Sequence, residues 1–277
     1  MDGRYSSKAW NQLFLPRLSG KRIAELAKQK PLLVLPIGAV EQHGPHLPVY
    51  TDTLIAEGVL GAAFEHLSEE DGIWLLPPLA YGKSTEHEGW PGTISLSAAT
   101  LLSLIQDIAL SLHRQQFDRL VLFNSHGGNV DLLNMAARDI RAETGMLVFR
   151  LDAGSLHAGE GLLEEQEQFL GIHGGDSETS QLLHLQPHWV EKEALPQEFP
   201  ALDPSSLLHF KNKRFAWLMS DVSESGICGN AALATAEKGS QIIEEASREI
   251  AELLIAMKHF DFDAIRTGIR SEAAAKQ

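Results

Sequence analysis

The chain has 277 residues, 44% hydrophobic and 22% charged, which is enough to bury a sizeable core. Its 23 Lys and Arg face 37 Asp and Glu, for a net charge of −14. No basic cluster is visible, which argues against nucleic acid or an anionic membrane as partner. The single cysteine, Cys228, excludes a disulfide framework and a Cys-based zinc site, and 12 histidines call for explanation.

The N-terminal MDGRYSSKAW lacks the apolar run of a signal peptide. No stretch approaches the roughly 18 consecutive apolar residues of a spanning helix. The expectation is a soluble, cytoplasmic protein. The acidity concentrates in residues 151–200, where ten acids face one base, Lys192. Such a run reads first as a solvated face holding a few site carboxylates.

Taken in order, Leu32 to Ile37 reads as a buried strand and residues 53–66 as a helix. Ile73 to Leu76 is a short strand stopped by Pro77-Pro78. Residues 98–116 form a helix that Ser97 can cap, with Leu101, Leu104, Ile105, Ile108 and Leu112 at helical spacing. Arg119 to Phe123 is a strand, 129–144 a helix that Gly145 can end, and Met146 to Leu151 a strand. Residues 231–258 read as a long helical stretch interrupted at Gly239. Strands separated by helices predict an α/β protein with a mostly parallel sheet covered on both faces. One domain over 1–277 is expected, with an irregular insertion around 186–214.

Ligands in such folds bind at the carboxyl ends of the strands, and polar clusters fall there. After Ile37 comes Glu41-Gln42-His43-Gly44-Pro45-His46, with Asp52 nine residues beyond His43. In extended chain Glu41 and His43 point the same way, and the turn at Gly44-Pro45 lets Asp52 return at the start of a helix. Two carboxylates and an imidazole on one focus suit zinc, manganese or iron. After Phe123 comes Asn124-Ser125-His126-Gly127-Gly128-Asn129, in which His126 can add a second imidazole. Ser125 lacks the G-x-S-x-G elbow of a serine nucleophile.

Further along, His173-Gly174-Gly175-Asp176-Ser177-Glu178 precedes a helix that Asp176 or Ser177 can cap. Glu178 would project from its first turn as a ligand or general base, and His173 is a candidate acid or base. The segment Ser84 to Thr93 contains His87-Glu88, but Pro91 cannot sit inside a zincin helix. A loop lining the substrate pocket fits better, with Ser84, His87 and Trp90 as contacts. Cys228 has no obvious base and reads as packed.

Together these pieces resemble the creatininase (creatinine amidohydrolase) family. The matching stretches are PIGAVEQHGPHLPVYTDT, GKSTEHEGWPGTISLS, LFNSHGGN, HGGDSETS and GICGNAALATAEKG, in family order over about residues 31–239. The resemblance implies a three-layer α/β/α fold and a homo-oligomer, often a hexamer. It implies a metal-dependent hydrolase, commonly with two ions per subunit, acting on non-peptide C–N bonds of small molecules such as cyclic amides or formamides. It assigns Glu41, His43, Asp52 and His126 as metal ligands, with Asp52 as the bridge, and matches Glu178 with the acidic residue of a family element that His173 opens. Attack by a metal-bound hydroxide is the implied chemistry.

There is one departure. Creatininase proper follows the histidine at 126 with Tyr-Glu, whose Glu binds a metal, whereas this chain has Gly127-Gly128. The Gly-Gly form resembles that of other members, formamide deformylases and a maturation peptidase among them. It points to a member other than creatininase proper and leaves one metal short of a ligand unless Glu178 supplies it. Hydrolysis of a cyclic ketone or C–C bond, or metal binding without catalysis on the same scaffold, are the alternatives.

Overall fold

A computed structural model describes residues 6–203, 206–210, 214–262 and 264–265. Its core is a four-stranded parallel sheet in the order β2-β1-β3-β4. The strands are β1 (Leu32–Ile37), β2 (Ile73–Leu75), β3 (Arg119–Asn124) and β4 (Leu147–Asp152). A two-stranded antiparallel ribbon pairs β5 (Gln197–Glu198) with β6 (Gly229–Asn230). The helices are α1 (Lys8–Asn11), α2 (Gly20–Ala27), α3 (Thr51–Glu65), α4 (Ala98–Arg114), α5 (Val130–Thr144), α6 (Glu165–Leu170), α7 (Asp176–Leu185), α8 (Met219–Val222) and α9 (Ala236–His259).

The strand period of two sorts the core into two layers. Leu32 and Val34 of β1, with Val121 and Phe123 of β3, pack toward α3 and α9. Leu33, Leu35 and Ile37, with Leu120 and Leu122, pack toward α2, α4 and α5. Every residue of β1 is buried, so neither face tolerates a polar side chain. Truncating Leu33 to Ala there would cost about 2–5 kcal/mol. This is the three-layer α/β/α arrangement expected from the alternating strands and helices. Among the described residues no helix is long and apolar enough to cross a membrane.

The local signals also hold. Ser97 Oγ accepts from Thr100 N at 3.2 Å and caps α4. Gly145 takes φ +74° and its N–H bonds Arg141 O at 2.8 Å, closing α5. Two expectations need correction. Gly175, not Asp176 or Ser177, occupies the N-cap of α7, and the Asp176 carboxylate instead accepts from Ser180 Oγ and pairs with Lys238. Gly239 does not interrupt the C-terminal helix. It lies inside α9 where that helix crosses α7, and a Cβ there would sit 1.9 Å from Ser180 O. The glycine is a packing residue. The chain breaks earlier, at Ala234-Thr235, where Thr235 Oγ1 caps α9.

Of the expected insertion at 186–214, residues 204–205 and 211–213 lie outside the described residues. Its described part carries little regular structure beyond β5 and one short turn of helix, Lys192–Ala194.

Candidate metal centre

The site forms where β1 and β3 end. Glu41 and His43 follow β1, and His126 follows β3 two residues past Asn124. Asp52 lies in the first turn of α3, where the helix dipole favours a carboxylate. All four side chains are at least 95% buried.

Side-chain amides fix the strand ends. Asn124 Nδ2 donates to Asp152 Oδ1 and to His126 O, while its Oδ1 accepts from His126 N and Asn129 Nδ2. Asn129 Nδ2 also donates to Gly38 O, and its Oδ1 accepts from Lys83 N at 2.9 Å. The two asparagines thus tie the β3 turn to β1 and to the loop at 83.

His43 Nε2 lies 3.5 Å from Asp52 Oδ1 and 3.9 Å from Glu178 Oε2. On the other side of Asp52, His126 Nδ1 is 3.5 Å from Oδ2. His126 Nε2 is 3.2 Å from Glu41 Oε2. Among the described residues four groups of possible donors form here: Glu41–Asp52–His126 and His43–Asp52–Glu178, which share Asp52, and Glu41–His43–His173 and Glu41–Glu86–His87, which share Glu41.

The residues fit a metal. Glu41 Oε2, His43 Nε2 and Asp52 Oδ2 are buried and have no hydrogen-bond partner. Each such atom would cost about 1–3 kcal/mol if left bare, and a cation satisfies them together. The His43 ring is already oriented for it: Nδ1 donates to Glu41 O at 3.0 Å, which leaves the Nε2 lone pair for the site. The electrostatics agree. Burial alone would lower the pKa of His43, but Asp52, Glu178 and Glu41 outweigh it and raise the pKa to about 9. The same contest, won by Glu41, Asp52 and Glu86, raises His126 to about 10. The carboxylates demand positive charge, and without an ion they take it from protons on two imidazoles.

The other expected residues distribute unevenly. His173 stacks between His43 and His87, with ring centroids 4.1 and 4.2 Å away. Its Nε2 donates to Gln42 O at 2.7 Å and its Nδ1 faces Glu41 Oε1 at 3.6 Å. Burial and the neighbouring imidazoles of His43 and His87 hold it well below the usual histidine range, so it is neutral. It also belongs to a possible donor set with Glu41 and His43. Glu178 accepts from Gly174 N at 2.6 Å, and burial with Asp52 nearby raises its pKa to about 6.

His87 is buried against Glu41, Nε2 to Oε1 at 3.4 Å, and lines the cavity above the cluster. Burial, His43 and His126 lower it to about 3. Ser84 is buried with Oγ 3.4 Å from His126 Nε2 and does not line the cavity. Trp90 is half-buried beside Gly226 and does not line that cavity. Cys228 is buried, and its thiol is pushed up to about 12, chiefly by burial.

Two residues escaped the sequence reading. Gln42 lies between two site residues, where alternation turns it away. Its Nε2 donates to His87 Nδ1 at 2.9 Å and to Gly226 O at 2.7 Å, and its Oε1 accepts from Gly44 N. It clamps the loop at 226 and fixes the His87 tautomer. Glu86 reaches His126, Oε1 to Nε2 at 3.5 Å. Its adjacency to His87 in sequence was the available signal.

A nitrogen-and-oxygen donor cluster at the carboxyl edge of a parallel sheet, inside three layers, defines a metal-dependent hydrolase. The family model described as creatinine amidohydrolase matches residues 16–254, and the chain belongs to the creatininase family. It is 35% identical over 224 residues to a mycofactocin precursor peptide peptidase of Mycolicibacterium smegmatis, covering 80% of this chain and 83% of that one. It is 32% identical over 260 residues to a creatinine amidohydrolase of Pseudomonas putida, covering 87% and 96%. A solved structure described as creatininase Mn superposes with a TM-score of 0.72 at 31% identity, over 87% and 97% of the two chains.

Proposed function

We propose that the protein hydrolyses an amide C–N bond using two divalent ions held by Glu41, His43, Asp52, His126 and Glu178. The observation that carries this reading is the sharing of Asp52 by two donor sets. Oxygen and imidazole donors suit zinc, manganese or iron. Such ions supply a water activated near neutral pH and a Lewis acid for the carbonyl.

The chain's own residues orient and move protons. Neutral His173 presents Nδ1 as a proton acceptor, with Nε2 anchored on Gln42 O. Glu178 carries a proton near neutral pH more readily than an ordinary carboxylate. Together they can take a proton from the attacking water and return it to the leaving nitrogen, a contribution of roughly 100- to 10,000-fold.

The substrate class implied by the resemblance is a small cyclic amide or formamide. A second reading, a peptide amide, is favoured by the cavity over the cluster. It measures about 670 Å³ and is walled by Phe210, Phe215 and Trp217, with Arg214 among the lining residues. That volume suits a drug-sized ligand rather than a single small ring. The name of the M. smegmatis relative supports the same reading.

Assay of metal-analysed protein on cyclic amides, formamides and short peptides tests both. Hydrolysis within any of these classes is the expected result, and the class turned over chooses between the readings. Turnover confined to cyclic ketones would overturn the amide proposal. We also propose a single domain and a homo-hexamer, which light scattering on the purified protein would check.

A further inference from the structure

Glu86 sits in a short helical turn, Thr85–His87, on the loop that crosses above β3. Its side chain is only 18% exposed. Room for it comes from Gly128, because a Cβ there would lie 2.2 Å from Glu86 Oε1 and 2.4 Å from Lys83 O. The carboxylate of one loop thus occupies space that any side chain at 128 would need.

What Glu86 faces is the Nε2 edge of His126. That nitrogen also lies 3.0 Å from Lys83 O, a carbonyl that can only accept, and 3.2 Å from Glu41 Oε2, so Glu86 is one of three acceptors along this edge. Nε2 therefore carries the ring hydrogen in the neutral form, and the lone pair falls on Nδ1. Nδ1 looks at Asp52 Oδ2 across 3.5 Å, and that oxygen has no hydrogen-bond partner. In ligating histidines the nitrogen away from the metal is generally held by a carbonyl or carboxylate, which fixes the tautomer and the ring angle.

We propose that Glu86 is a positioning residue: together with Lys83 O it holds the Nε2 edge of His126, keeps Nδ1 toward Asp52 and so sets how tightly the Glu41–Asp52–His126 donor set keeps its ion. The proposal rests on the metal reading above; Glu86 also groups with Glu41 and His87 as a possible donor, and the test below separates positioning from direct ligation. A Cβ at 128 would also lie 2.5 Å from His126 Nε2, so the glycine serves the Lys83 carbonyl and the imidazole as well as Glu86.

The test uses the full chain as wild type, Glu86→Ala and Glu86→Gln, each loaded with Co²⁺. Ions per chain and dissociation constants are measured by chelator competition, with circular dichroism as the control for folding. Glu86→Ala is expected to keep the ion of the His43–Asp52–Glu178 set and to bind the other about 10- to 100-fold more weakly. The visible cobalt spectrum of the weakened site should shift as the ring turns. Glu86→Gln keeps an acceptor oxygen and should recover most of the affinity. Where Glu86→Ala fails to fold, Glu86→Asp, which withdraws the carboxylate by one carbon, is expected to fall between wild type and the alanine loss.

Affinity equal to wild type in the alanine or aspartate variant overturns the proposal. So does a glutamine variant as weak as alanine, which would make Glu86 a direct ligand. Wild-type protein that binds no ion overturns the metal reading itself, and that outcome is distinct from the others.

Discussion

Asp52 Oδ2 and His126 Nδ1 face each other at 3.5 Å, buried, and the carboxylate oxygen has no hydrogen-bond partner. On the metal reading a cation between them satisfies both. Because the other oxygen of Asp52 serves His43 in the same way, losing this one side chain should undo both donor sets. Asp52→Ala is expected to drop bound metal from two ions per chain to less than one and activity to background. Elemental analysis of the purified variant decides it, and retained metal would refute the bridging role.

His173 presents the opposite case. Its Nε2 is committed to Gln42 O and its neutral Nδ1 faces Glu41. As a proton acceptor it should matter to turnover rather than to metal retention. His173→Asn is expected to keep the metal content and lower kcat by roughly 100- to 10,000-fold. Loss of an ion in that variant would make His173 a ligand of the Glu41–His43 set.

Much of this was legible before folding, for identifiable reasons. The run Leu32 to Ile37 is apolar at every position but its proline, so the buried strand could be read directly, and the polar residues that follow it had to lie at the sheet's edge. The same logic located His126. What the sequence hid were relations between distant segments. Glu86 reaches His126 where Gly128, 42 positions away, leaves room for it, and no local pattern announces a missing side chain. Gly239 carried the local signal of a helix breaker, yet its job is to let Ser180 O of another helix approach. Trp90 read as a pocket residue from its motif, but the turn around it directs the ring to Gly226.

That helix crossing gives a stability prediction. A Cβ on Gly239 would meet the Ser180 backbone, which cannot swing away as a side-chain tip could. Gly239→Ala should force α7 and α9 apart and cost about 1–3 kcal/mol despite alanine's better helix propensity. For a chain of this size each kcal/mol lowers Tm by about 2–4 °C. A thermal melt at or above the wild-type value would show that the crossing is loose.

Ser125 tests the rival chemistry. Its hydroxyl donates weakly to Ile37 O at 3.4 Å and lines the cavity beside His126. The adjacent imidazole is engaged by Lys83 O and the carboxylates, so it is not placed as a base for the serine. Ser125→Ala should keep activity within about twofold, and chelators rather than serine-directed reagents should abolish turnover. Covalent labelling of Ser125 with loss of activity would reverse the assignment.

The pH dependence of the metal-free protein follows from the same cluster. His43 at about 9 and His126 at about 10 lie above the usual 6.5 because the surrounding carboxylates outweigh burial. The folded state therefore binds these protons more tightly than the unfolded chain. Their stabilisation is complete below about pH 6.5 and is lost as pH rises through 9 and 10. His46 at about 4 and His87 at about 3 are lowered chiefly by burial, and their contribution runs the other way, present above 6.5 and lost as pH falls toward those values. Chelated protein should accordingly melt highest near neutral pH and lower on both sides. On the alkaline side an ion can replace the departing protons, and its binding strengthens as the imidazoles deprotonate. Adding Zn²⁺ should then raise Tm more at about pH 9 than at about pH 6. Melts across that range with and without chelator measure it. An alkaline limb that does not fall in the chelated protein, or a Zn²⁺ shift larger in acid than in base, would mean that these imidazoles do not exchange protons for metal.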